Sequence, residues 1–125
     1  MVQVDISQLS AECNAWREQL RIYRDEFTKD ENRIRQVAGR PLSKDQLQEV
    51  EHLHNQFHIQ LINIHDLKQA IKTYDRRLNI NSPERTGATE EISSTHESLL
   101  EQYRALELTL QELRDEFNRF LSRTS

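Results

Sequence analysis

At 125 residues, with 35% hydrophobic and 30% charged side chains, the chain is one domain long but has too little apolar material for a compact sphere. A thin rod of helices, each burying one stripe, suits those numbers better, and the regular apolar spacing separates it from a disordered polar chain. Acidic residues number 21 and basic residues 17, mixed along the chain for a net charge of −4, which excludes an electrostatic case for DNA, RNA or an anionic membrane.

Two glycines and two prolines fall in two places, Gly39 with Pro41 and Pro83 with Gly87. They leave three unbroken segments, each about 45 to 55 Å long as a helix. The first predicts a helix over residues 6–38. Ile6, Leu9, Cys13, Trp16, Leu20, Tyr23 and Phe27 advance in steps of 3 and 4, and Ile34 with Val37 resume the seam after Asp30. Strands cannot produce that alternation, which is the coiled-coil pattern. Asp5 is the expected N-cap, with Gln8 at N3 and a Val4–Leu9 staple. Gly39 suits the C-terminus and Pro41 blocks continuation. Asp30 stands where an apolar residue belongs, so it either pairs with a histidine or basic residue opposite or marks a loosening of the seam. Cys13, the one cysteine, lies on the seam and reads as a small core residue rather than a nucleophile.

The second helix, residues 44–79, repeats the capping pattern with Ser43, Gln46 and a Leu42–Leu47 staple. Its seam runs Val50, Leu53, Phe57, Leu61, Ile64, Leu67, Ile71, Tyr74, Leu78. Glu51, His54, His58 and His65 fall within about 60° of one another on its wheel. Imidazoles one turn apart can chelate zinc, nickel or copper, so these four are the candidate metal ligands. Against that, His65 lies about 10 Å along the axis from His58, and the stripe flanks the seam, where a histidine can hydrogen-bond to a neighbouring helix. No metal or other cofactor is therefore expected, and a metal-binding or metal-sensing bundle is the alternative reading. Glu51 and His54 form one Glu-x-x-His step, where carboxylate-bridged di-iron bundles need two.

The third helix, residues 89–122, has Thr89 as expected cap, Glu90 and Glu91 in the first turn, and Ser82-Pro83 as a site for an extra turn. Its seam runs from Ile92 through His96, Leu99, Tyr103, Leu106, Leu110, Leu113 and Phe117 to Phe120, with His96 a satisfied core or boundary group. Its late arginines, Arg114, Arg119 and Arg123, complement the helix dipole and read as a solvated face.

Short connections predict one domain over residues 1–125, an all-α, antiparallel, up-down-up three-helix bundle with a left-handed twist; exchange of the third helix with a second chain satisfies the same pattern. The leucine-rich seams, Trp16 in the first helix and the stretch 50–57 resemble spectrin-type repeats, although the third helix has no second tryptophan.

Four aliphatic residues lie far from the seams, Ile22, Ile59, Ile62 and Leu108, all near mid-height of an antiparallel rod. Single exposed aliphatics are ordinary, and these point to different sides, yet they are the candidate interface, with Ile59 and Ile62 the best pair. No Gly-rich phosphate loop, poised nucleophile or paired acid and base is evident, so no catalytic residue and no small-molecule substrate is expected. No run of about 18 apolar residues spans a bilayer, and the N-terminal residues lack the features of a signal peptide. The expectation is a cytoplasmic, non-enzymatic bundle whose partner is another protein or a second copy of itself, with no nucleic acid and no membrane.

Overall fold

The computed structural model describes residues 5–80 and 89–124 and consists of three helices. These are α1 (Ile6–Ala38), α2 (Lys44–Ile80) and α3 (Thr89–Thr124), and the described residues contain no strand. Val4 and the Ser82-Pro83 turn lie outside the described residues.

Local chemistry sets the helix ends. The Asp5 carboxylate accepts from the Gln8 amide at 3.3 Å and opens α1. Ser43 and Gln46 close a full capping box: the Gln46 amide donates to Ser43 Oγ at 3.2 Å, and the Ser43 amide donates to Gln46 Oε1 at 2.9 Å. Thr89 is the first residue of α3 itself, so the position that caps this helix falls outside the described residues; Glu90 and Glu91 occupy the first turn as expected. At the end of α1, the Gly39 amide donates to the Gln36 carbonyl, but the glycine sits at φ −80°, ψ −5°. Any residue adopts those angles, so Pro41, with no N–H to extend the ladder, rather than a left-handed glycine, accounts for the stop.

The chain forms an antiparallel three-helix bundle. Ser10 meets Asp75 and Phe27 meets Phe57, so α2 runs back along α1. Phe57 meets Phe117 and Tyr74 meets His96, so α3 reverses again and lies parallel to α1. Phe27, Phe57 and Phe117, one from each helix and each at most 1% exposed, make a central layer of edge-to-face rings with centroids 5.0 and 5.3 Å apart. Burial of each ring is worth about 1.5–3 kcal/mol, and each edge-to-face pair about 0.5–1.5 kcal/mol more.

The seams are not equivalent. The backbones of α1 and α3 stand farthest apart, and long polar side chains fill the gap between them. Glu12 reaches His96, Tyr23 reaches Glu107, and Asp30 accepts from Arg114, each pair with an offset of 84 positions. Asp30 thus pairs with a basic residue opposite, and Arg114 also donates to Glu26 at 2.6 Å. The late arginines of α3 are therefore not simply a solvated face: Arg114 crosses to α1 and Arg123 crosses to Glu49 on α2. No helix of the described residues is long and apolar enough to cross a membrane.

Candidate functional site

The four off-seam aliphatics are among the large hydrophobic side chains that the fold leaves exposed: Ile22 at 39%, Ile59 at 44%, Ile62 at 49% and Leu108 at 58%. Leu47, assigned from sequence to the α2 staple, joins them at 43%, while its partner Leu42 packs on the core. The pairings above fix their heights. Ser10 opposite Asp75 and Phe27 opposite Phe57 put Ile22 level with residues 62–63 of α2. The constant α1–α3 offset puts it level with Leu106, two residues from Leu108. All four then fall within about four residues of rod height, about 6 Å, a girdle at mid-rod. Only Ile59 and Ile62 share a helix face, about 60° apart on α2.

The α2 histidines do not gather into a metal centre. His58 and His65 point to solvent and His54 is half-buried, lining with Glu51, Ile34, Arg35 and Ala38 a shallow recess of about 360 Å³. Among the described residues no three of His, Cys, Asp and Glu are placed to hold a metal ion; of the four candidates, Glu51 and His54 share the recess. His52, the fourth histidine of the helix, faces Glu116 across the α2–α3 seam at 3.3 Å.

A buried polar network lies elsewhere, around His96. The ring is 9% exposed and lies between Trp16, at 4.9 Å, and Tyr74, at 5.6 Å between centroids. Glu12 Oε2 lies 2.5 Å from Nε2 and accepts its proton, and the Tyr74 hydroxyl is hydrogen-bonded to Nδ1 at 3.1 Å. Such an acid–histidine–hydroxyl chain has the order of a nucleophilic triad, but its hydroxyl is closed in: Tyr74 is 6% exposed and burial raises its phenol well above the usual range. Burial likewise pushes the neighbouring Cys13 thiol up to about 12, which keeps it protonated and inert. The network holds α1, α2 and α3 together at one end of the rod. Its heptad spacing placed His96 on the seam, but nothing local pointed to Glu12, which reaches it from 84 positions away.

Beside this network an open groove of about 620 Å³ runs between the end of α2 and the start of α3. Tyr74, Leu78, Ile92 and Leu99 supply its apolar wall, and Arg77 and Glu91 stand among its lining residues. Its described lining residues include no histidine or cysteine.

Compared with protein-family models, with curated proteins and with solved structures, the chain matches none.

Proposed function

We propose that this protein is a non-enzymatic helical bundle that works through protein–protein contact, and that it associates with itself through the mid-rod aliphatics of α2. The carrying observation is the pair Ile59 and Ile62, 44% and 49% exposed on one outer face. A rod this thin buries a single stripe per helix, so covering two branched aliphatic side chains stabilises the associated form. Each is already about half covered, so completing its burial contributes about 0.7–1.5 kcal/mol, half the value for a fully exposed side chain, in a domain whose whole stability is of order 5–15 kcal/mol. A mixed-charge surface and a single buried cysteine suit a cytoplasmic setting. Metal binding or sensing by the α2 histidines draws no support from their placement.

The test is the molar mass in solution by light scattering over a wide range of protein concentration, with chelator present. The wild-type chain is expected to rise above 14.9 kDa. Replacing Ile59 and Ile62 together with lysine should return it to the monomer mass with unchanged helical circular dichroism, because both side chains are already half in water. A mass that ignores the double substitution removes this surface.

A further inference from the structure

The outer side of α2 carries a second alternation in addition to the buried seam. His52, Asn55, Ile59, Ile62, Asp66 and Gln69 advance in steps of 3, 4, 3, 4 and 3, and every one of them is exposed. The stripe is polar at both ends and apolar at its centre. Its charged flanks are also ordered: Asp45 and Glu51 lie toward the start of the helix, and Lys72, Arg76 and Arg77 toward its end. Among the described residues none of these five charges has an ion-pair partner, although Arg123, Arg114 and Arg35 elsewhere are all paired.

That arrangement is self-complementary in one orientation only. We propose that the occupant of this face is α2 of a second copy, laid antiparallel across a two-fold axis between Ile59 and Ile62. The inference rests on the self-association proposed above and adds its geometry. Across that axis Ile59 of one copy meets Ile62 of the other, twice. One layer out, the Asn55 amide faces the Asp66 carboxylate of the second copy and can donate to it. Farther out, Glu51 comes beside Lys72 of the second copy, and Asp45 beside Arg77. A perpendicular two-fold keeps each flank on its own side, and Glu51 and Lys72 fall on one side while Asp45 and Arg77 fall on the other. A parallel pairing would instead set Asp66 against Asp66 and bring Glu51 level with Glu51 and Lys72 level with Lys72, so that each end of the contact carries one sign of charge. The bundle's own α1 and α3 pack on the opposite side of α2; α3 reaches the stripe at its end, through Glu116 and His52, and leaves the central isoleucines exposed.

Charge reversal and directed cross-linking test the orientation. Glu51→Lys alone, or Lys72→Glu alone, places like charges at two symmetry-related points and should weaken the dimer about tenfold in sedimentation equilibrium, whereas the double reversal should restore it. On mild oxidation, a mixture of Asn55→Cys and Asp66→Cys chains should form the mixed 55–66 disulfide in preference to 55–55 or 66–66; the native Cys13 is buried and stays out of the exchange. Predominant like-with-like disulfides, or single reversals without effect, overturn the antiparallel arrangement. If Ile59→Lys with Ile62→Lys still dissolves the dimer in that event, the contact surface stands and its geometry falls. A dimer that persists through the isoleucine substitutions, or a chain that stays at 14.9 kDa up to about 1 mM, overturns the surface and the geometry together.

Discussion

The α1–α2 and α1–α3 seams bury similar side chains yet are held in different ways. Residues 39–43 join α1 to α2, and the two backbones run close together, with phenylalanine and aliphatic packing between them. Among the described residues, polar bonds at that seam lie at one end, where Ser10 and Arg17 meet Asp75. On its flank the charges even oppose association: Lys68 is held below the usual ammonium range by burial and then by Arg24, Arg17 and Arg21 of α1. The α1–α3 seam is wider, joins helices that no short loop ties together, and is laced by Glu12–His96, Tyr23–Glu107 and Arg114 with Glu26 and Asp30. Aliphatic side chains in a heptad pattern tolerate a slip of seven residues, since each position looks much like the next. A carboxylate that must meet one guanidinium does not. The directional contacts are therefore concentrated where no short connection sets the height.

Three substitutions probe that difference, the first by striking the hydrocarbon packing of α2 against both of its neighbours. Phe57 touches Phe27 on α1 and Phe117 on α3, so Phe57→Ala should cost about 3–5 kcal/mol in urea unfolding. A cost under about 1 kcal/mol would mean that the three-ring layer is not close-packed.

Arg114→Met acts on the polar seam alone, and should cost about 1–3 kcal/mol at neutral pH by leaving two carboxylates on α1 without their cation. Its pH dependence has a definite sign. Burial holds the Asp30 carboxyl above its ordinary value of 3.8, against the pull of Arg114. The folded state thus binds that proton more tightly than the unfolded chain, so this group's contribution to stability falls as pH rises through the window above 3.8. Without Arg114 the window widens upward. The variant should therefore lose most near pH 7 and recover toward wild type as the pH is lowered toward 3.8, as the carboxyl takes up its proton. An equal loss at both pH values would show that Arg114 serves packing rather than charge.

The smallest expected change lies in the loop that joins the hydrocarbon seam. A Cβ added at Gly39 would meet the Gln36 carbonyl oxygen at 3.5 Å, an ordinary contact, and the backbone is already right-handed. Gly39→Ala should raise stability by about 0.4–1 kcal/mol, because the unfolded chain loses freedom that the fold does not use. A lowered melting temperature would mean that the turn needs glycine's left-handed conformation in solution.

Much of this was legible in the sequence. The 3-4 spacing identified the three helices, the buried faces and the exposure of Ile22, Ile59, Ile62 and Leu108. The Ser43–Gln46 box and the Asp5 cap were readable because they lie within one turn of chain. Glycine at position 39 marked the helix end correctly but not its backbone angles, since residue identity fixes what conformations are open rather than which is occupied. The α2 histidines drew attention as ligands because a helical wheel shows who shares a face, but it does not show whether a third donor arrives from another helix.

The sequence by itself determined the elements, their seams and their outer faces, because helical periodicity is a local property that repeats every 3.6 residues. Only the tertiary structure decided that Glu12 closes on His96 beneath Trp16, that Arg114 leaves the α3 surface for Asp30, and that four scattered aliphatics stand at one height. Those facts depend on which helices adjoin and on the offset between them. That offset is a sum over all the contacts along the seams, so no short stretch of chain records it.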